Sequence, residues 1–432
     1  MKRLIFLLIA LLLRIEVIHG QTRKWMPMPQ EVNGIVTSLA VYQGQLIVAG
    51  AFTKAGQVSV NKIAAWDGVK WSSLGSGMRG GLYSGVEGIY VHDSLLYVEG
   101  FFDSAGTVSA KGLAIWNGKE WKNPLKNGHL DTLRVIHSLI EYKNEIYAGG
   151  NYSQIGGIKA NGIAKWDGMN WHSLGTNKYT DAQNLYVYNN ELYMLGSLDL
   201  GGSITDYIGR WDGISWKKVS TGVGYQHKAM INWKGKLLIG AHTPHQIPPV
   251  DYRDIVEWNS DTIIRFSRQV MINLYNFHIF EKELYCFGGG GVMKWSEDSL
   301  KWEYEGQGLI NNIVMAMIEY NGELFCGGTF NTSENSTINF LGRYTEKVGS
   351  TSIVIEPKVR LFPNPIKSML SIQGSEIVHI RVVNSSGQIV KQEEMNGFEY
   401  SDIDLSHLSN GIYIIELISS DGKLFREKIV KD

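Results

Sequence analysis

Side chains that could do chemistry are few in this chain and widely spaced. His242 and His245 form its only close histidine pair, and with Asp251 and Asp254 they supply the residue types of a metal site. They lie in IGAHTPHQIPPVDYRD, where the Pro248-Pro249 step works against a fixed ligand spacing. The stretch therefore reads as a solvated loop, and no metal is expected. Gly-x-Ser-x-Gly, a phosphate-binding glycine loop and zinc-spaced cysteines are all absent from the sequence, so no catalytic residue and no cofactor is assigned. A second set, Glu87, His137, Gln183, Lys228 and Tyr275, becomes visible only in register with a repeat, and its meaning depends on the elements that carry it.

The repeat is plain. VTSLAVYQGQLIVAGAFTKAGQVSVNKIAAWDGVKWSSLG, beginning at Val36, returns twice with little change, at residues 96 to 121 and 146 to 174. Aligning the strand that starts LIVAG gives Gly50, Gly100, Gly150, Gly196, Ala241, Gly288 and Gly328, at intervals of 50, 50, 46, 45, 47 and 40 residues. There are seven units. Each predicts four short strands in two hairpins. The first hairpin turns at Gln43-Gly44, Lys143-Asn144, Asn189-Asn190, Lys234-Gly235 and Asn321-Gly322; the second runs Trp66-Asp67-Gly68 to Trp71, Trp116-Asn117-Gly118 to Trp121, Trp166-Asp167-Gly168 to Trp171 and Trp211-Asp212-Gly213 to Trp216. Asp-Gly and Asn-Gly are expected to accept the positive φ of such turns.

Four-stranded units of this length predict propeller blades rather than helical solenoids. The expected fold is all-β, a seven-bladed β-propeller over residues 21–348. Its seventh unit stops at Leu341-Gly342-Arg343-Tyr344, without the strand that should follow, while Trp25-Met26-Pro27-Met28 precedes the first full repeat. Pairing these two stretches would close the propeller with the N-terminal strand and leave no open edge. All thirteen tryptophans fall at repeat positions, which suggests packing between blades; a carbohydrate-stacking surface is the competing reading. Cys286 and Cys326 occupy one equivalent position, where packed sheets stand about 10 Å apart. That exceeds the roughly 7 Å limit for a disulfide, so buried free thiols are expected.

The same register separates scaffold from specialisation. Five residues before the end of each first strand stand Thr37, Glu87, His137, Gln183, Lys228, Tyr275 and Met315, a mixed set. The next position holds Ser38, Gly88, Ser138, Asn184, Ala229, Asn276 and Ala316, uniformly small, as crowding near a propeller axis requires. Glu87, His137, Gln183, Lys228 and Tyr275 are therefore candidates for one mouth of a central channel, where propellers bind ligands. The alternative is that nothing constrains those positions. Through the Leu96 to Gly100 strand, the doubled glycines Gly149-Gly150 and Gly327-Gly328 and the later W…W-x-x-L, residues 22 to 347 resemble the kelch and galactose-oxidase-type propellers. Several units lack the doubled glycine, the fifth lacks its second Trp, and no residue set maps onto a copper site of that type.

After Tyr344 the character changes. Residues 349–358 read as a linker, and residues 359–432 as short alternating strands joined by Ser-Gly, Asn-Gly and Asp-Gly turns, a small immunoglobulin-like β-sandwich. Its landmarks are Pro363, Asn364, Pro365, Gly387, Gly411, Tyr413, Lys428 and Lys431. Their order resembles the type A C-terminal sorting domain of the type IX secretion system of Bacteroidetes. The resemblance implies the type IX machinery as partner, passage across the outer membrane, and removal of this domain with release or surface attachment.

The N-terminus agrees with that route. Lys2 and Arg3 precede an apolar run from Leu4 to Leu13, and Gly20 precedes Gln21, which predicts a signal peptide over residues 1–20. The run is too short for a transmembrane anchor, and none is expected elsewhere. With 41 basic against 42 acidic residues, nothing electrostatic points to nucleic acid. The expected function is a secreted or cell-surface binding protein for a glycan or protein ligand; an exported enzyme acting on extracellular polysaccharide is the alternative.

Overall fold

The computed structural model describes residues 23–81, 85–125, 135–174, 180–198, 205–221, 229–240, 255–259, 262–267, 270, 272–305, 309, 313–330, 338–346, 360–362, 365–373, 377–384, 388–394, 400–419 and 424–431. The expected signal peptide, the linker, the His242 to Asp254 loop, Pro363, Asn364 and Gly387 lie outside them. Two compact units divide between Lys347 and Val348. All regular structure among the described residues is β-strand, in small antiparallel sheets.

Turn chemistry explains the strands. Seven opening hairpins each place two successive residues at positive φ, from Gln43 and Gly44 (49° and 72°) to Asn321 and Gly322 (52° and 73°). This is the turn whose twist matches the flanking strands. Asp93-Ser94 and Glu281-Lys282 adopt it too, with neither glycine nor asparagine, because the paired strands leave no other way round. The second hairpins work differently from the expectation. Only the glycine takes positive φ, as at Gly68 (99°). The preceding acid or amide acts through its side chain: Asp67 Oδ1 accepts from the backbone N–H of Val69 and Lys70, and Asn117, Asp167 and Asp212 repeat the pattern. These N–H groups hold the Asp212 carboxyl down at about 2.

Seven four-stranded sheets follow in the first unit. The first sheet comprises Ile35–Tyr42, Gln45–Ala51, Ile63–Trp66 and Trp71–Ser73. The next five open with Gly85–His92, Val135–Tyr142, Thr180–Tyr188, Met230–Trp233 and Asn273–Phe280. The seventh combines Val314–Tyr320, Glu323–Gly328 and Leu341–Glu346 with Arg23–Pro27. Trp25 stands opposite Tyr344 in that antiparallel pair, the partnership the incomplete seventh repeat called for.

Successive sheets are tied by one recurring bond. The Tyr42 hydroxyl donates to Ser94 O in the turn of the next sheet, Tyr142 to Asn190 O and Tyr188 to Gly235 O, at 2.9, 3.3 and 2.6 Å. Tyr320 of the seventh sheet makes the same bond to Gly44 O of the first, at 3.2 Å. Glycines without room for a Cβ allow the close approach. A Cβ on Gly149 would stand 2.8 Å from Ala182 of the fourth sheet, and one on Gly327 would stand 2.3 Å from Val36 of the first.

Eight outer-hairpin tryptophans, from Trp66 to Trp216, are each less than a tenth exposed and pair with ring centroids 4.9 to 5.4 Å apart. Packing, not an exposed stacking surface, accounts for them. Cys286 and Cys326 are free and buried, and burial pushes both thiols well up.

His278 is a weak point in this packing. Its repeat position holds Tyr90 and Tyr186 in two other sheets, whose hydroxyls accept from Glu141 N and Asn232 N of the following sheet. The buried His278 Nε2 has no hydrogen-bond partner among the described residues, and burial lowers the imidazole from 6.5 to about 4. Between those values the folded chain binds fewer protons than the unfolded one, so stability is expected to fall as pH drops from 6.5 towards 4. His278→Tyr should flatten this part of the pH dependence of the urea midpoint. An unchanged slope would assign it to other groups.

In the second unit, Arg360–Phe362, Met369–Gln373 and Tyr400–Asp404 form one sheet, and Ile389–Glu394, Ile377–Asn384, Gly411–Ser419 and Leu424–Lys431 another. Leu370, Ile372 and Ile403 of the first share a core with Ile380, Tyr413, Ile415 and Ile429 of the second. Among the landmarks, Pro365, Gly411 and Lys428 are exposed and Lys431 is buried. Tyr413 is buried too, its hydroxyl donating to Ser409 O at 2.8 Å.

Candidate functional site

Four of the five expected mouth residues share a backbone feature that explains why their types vary. In six sheets the ladder between the first two strands shifts by one residue: from Val36 to Ser38, Val86 to Gly88, Ile136 to Ser138, Ala182 to Asn184, Leu274 to Asn276 and Val314 to Ala316. The extra residues are Thr37, Glu87, His137, Gln183, Tyr275 and Met315, each the bulged residue of a β-bulge. Lys228, the counterpart in the fifth sheet, lies outside the described residues. A bulge re-aims one side chain away from the cross-strand pairing that constrains its neighbours, so size and charge can differ from sheet to sheet.

Two of these residues are brought together through a third that sequence reasoning missed. Gln183 Nε2 donates to Asp181 Oδ1 at 2.8 Å, and His137 Nε2 of the preceding sheet lies 3.8 Å from the same oxygen. The His137 and Asp181 side chains are mostly buried, whereas Glu87 and Tyr275 are exposed. Thr37 points its hydroxyl at Val86 O of the second sheet, 2.5 Å away. The uniformly small position has a use beyond relieving crowding: Ser38 Oγ accepts from Ile89 N, and Ser138 Oγ from Leu185 N, both at 3.1 Å and both across to the next sheet.

A cavity of about 190 Å³ lies against these positions. Its polar lining is Tyr90 and Glu99 of the second sheet, His137 and Ser138 of the third, Asn184 of the fourth and Asn276 of the sixth. Of the five candidates, His137 lines it; Glu87, Gln183 and Tyr275 do not. Glu99 is the second residue that sequence reasoning missed. It is 5% exposed, and the aligned positions are Ala49, Gly149, Leu195, Gly240, Phe287 and Gly327. Its cross-strand neighbour is Gly88, on which a Cβ would stand 2.2 Å from Glu99 Oε1. The carboxylate therefore folds over the one glycine of the small set. Asp181 carries a similar signal, since the aligned residues are Ile35, Gly85, Val135, Gln226, Asn273 and Ile313. Both are lone acids at repeat positions that are elsewhere neutral.

The arrangement supplies hydroxyls, amides, an imidazole and carboxylates, which suits hydrogen bonding to a polar ligand. No group of three or more His, Cys, Asp or Glu among the described residues is placed to hold a metal. No helix among them is long and apolar enough to cross a membrane.

Comparison with known proteins bears on the second unit. Residues 360–432 match the family described as the secretion system C-terminal sorting domain. This is the type IX sorting domain that the landmarks suggested, and it directs the chain to the cell surface or the extracellular space. Beta-agarase D of Zobellia galactanivorans is 33% identical over 73 residues, 17% of this chain and 15% of the agarase, so the chain spans a small part of that relative. Among solved structures, the extracellular domain of the hybrid two component system BT3049 of B. thetaiotaomicron aligns with 92% of this chain and 67% of its own, at 10% identity and a TM-score of 0.31. An alpha-L-arabinofuranosidase of Clostridium thermocellum aligns with 55% of this chain and 94% of its own, at 15% identity and a TM-score of 0.28.

Proposed function

We propose that this chain is an extracellular binding protein whose first unit is a seven-bladed, kelch-like β-propeller closed through Arg23–Pro27, with a glycan or protein ligand held at one mouth of its channel. The second unit is an immunoglobulin-like sandwich used for export and then removed. One observation carries the binding reading: a single cavity takes polar side chains from the second, third, fourth and sixth sheets. Sheets so far apart in sequence meet at a common point when seven of them surround an axis, and the bond from Tyr320 to the turn of the first sheet fits that circuit.

The bulged residues then form a rim that differs at every step, while the ladders beneath it stay alike. Such a site binds by complementarity and needs no covalent machinery. The test is a glycan array and a set of extracellular proteins probed with the purified chain, followed by calorimetry on the ligand found. His137→Ala combined with Gln183→Ala is expected to weaken binding at least tenfold with the melting temperature little changed, because bulged side chains contribute little to the ladder. Unaltered affinity would remove the site.

A second reading rests on two carboxylates: Glu99 lines the cavity, and Asp181 sits beside His137, which also lines it. A pair of acids is what polysaccharide hydrolysis uses. Release of reducing ends from a polysaccharide panel, lost in Glu99→Gln, would replace the binding function with an enzymatic one.

A further inference from the structure

Four apolar side chains stand where the fold asks for none. Two residues before the second tryptophan of the outer hairpin come Val69, Lys119, Met169, Ile214 and Leu300, in the first, second, third, fourth and sixth sheets. The fifth-sheet counterpart, Asp261, lies outside the described residues. Ile214, Leu300, Met169 and Val69 are 82, 71, 69 and 55% exposed, the four most exposed large apolar residues among those described. A single hydrophobic residue on a surface needs no explanation, but these four share one repeat position.

Turn chemistry does not require them. In the first four sheets the turn is made by Asp67, Asn117, Asp167 or Asp212 with the glycine that follows. The next residue supplies only its backbone N–H, and Lys119 shows that a charged side chain serves there as well. Polar residues are the ordinary occupants of such turns. In the sixth sheet the apolar residue is kept against a backbone preference: Leu300 has a φ of 51°, in the left-handed region that asparagine and glycine enter more readily.

The outer turns lie beside the opening-hairpin turn of the preceding sheet. A Cβ on Gly118 would stand 3.0 Å from Gln43 Nε2, and the Tyr320 hydroxyl reaches Trp66 O at 3.4 Å. That end of the sheets is opposite the bulges. With the sheets around one axis, the four tips fall on one face, near its margin and apart from one another. A protein interface is built on a contiguous core of packed side chains. A lipid surface instead takes each apolar side chain independently, and the buried areas add.

We propose that this face of the first unit rests on a lipid bilayer, with Val69, Met169, Ile214 and Leu300 inserted at the level of the headgroups and upper acyl chains. The sorting domain directs the chain to the cell surface or the extracellular space, where such a surface is within reach. The bulged rim then faces away from the lipid and stays open to solvent. This goes beyond the binding function above and shares with it only the ring of sheets.

Flotation of the full chain with phosphatidylcholine vesicles tests it. The parent is expected to float with the vesicles, and Val69→Ser, Met169→Ser and Ile214→Ser should each weaken partition by about tenfold. Leu300→Asn should weaken it too while keeping or raising the melting temperature, a combination that a structural role for the leucine would not give. The four substitutions together should abolish flotation without lowering the melting temperature, and Lys119→Leu should strengthen it by about tenfold. Ile412→Ser, at an exposed aliphatic of the second unit, is the control and should change nothing. Flotation that survives the fourfold variant overturns the proposal. Self-association of the parent that the fourfold variant abolishes, with no flotation, overturns it in favour of a second copy of this chain. A parent that never floats overturns it and leaves the ring and its rim standing, whereas a loss confined to one of the four positions overturns it together with the ring.

Discussion

Trp25→Ala is expected to destabilise the first unit by about 3–5 kcal/mol, the range for removing a large aromatic from a packed core. Trp25 is 2% exposed, its ring centroid lies 5.0 Å from that of Tyr344, and it shares a cluster with Phe280, Tyr285, Val292 and Leu324. Its indole N–H has no hydrogen-bond partner among the described residues, so the loss is one of packing, and Trp25→Phe should recover much of it. The strand has a second tie, since the Arg23 guanidinium meets both carboxylate oxygens of Glu281, at 2.5 and 2.8 Å. That glutamate is half exposed, and surface pairs are worth about 0–1 kcal/mol, so Arg23→Ala should be nearly silent. Urea unfolding followed by tryptophan fluorescence and by far-ultraviolet circular dichroism measures both. A Trp25→Ala midpoint equal to that of the parent would show that the N-terminal strand does not complete the seventh sheet.

What could be read from the sequence, and what could not, divides along a physical line. Features fixed by local backbone chemistry were legible: the opening hairpins through their asparagines and glycines, the seven units through their spacing, and the Trp25 to Tyr344 pair through a strand missing at one end and spare at the other. The mouth candidates were found by variation alone, and the structure supplies the cause, since each described one is a bulged residue. Asp181 and Glu99 were missed because variation was sought at one repeat position only. Their signal was a single acid among neutral residues at two others. That His137 meets Asp181 depends on how neighbouring sheets stack, which no spacing within one chain segment encodes.

Gly288→Ala carries the second large effect, and it connects the scaffold to the rim. A Cβ on Gly288 would stand 1.9 Å from Asn273 O and 2.7 Å from Tyr275 N, both backbone atoms of the bulge that presents Tyr275. No rotamer change relieves a collision between main chain and Cβ, so the bulge itself must move, at a cost of about 3 kcal/mol or more. Gly50, Gly150, Gly196 and Gly328 face the same carbonyl in their own sheets at 2.0 to 2.2 Å, which is why glycine marks the end of this strand in repeat after repeat. Gly289 provides the control: its nearest neighbour would be the Asn273 Cβ at 3.3 Å, and Gly289→Ala should cost far less. Because the displaced atoms include Tyr275 N, Gly288→Ala is also expected to disturb binding at the proposed rim, measured by calorimetry where enough folded protein remains. Equal unfolding midpoints for the two alanine variants would mean that the bulge carbonyl does not sit against Gly288. The account of the rim as a set of bulged residues would then lose its structural basis, since glycine is what lets each bulge close against its neighbouring strand.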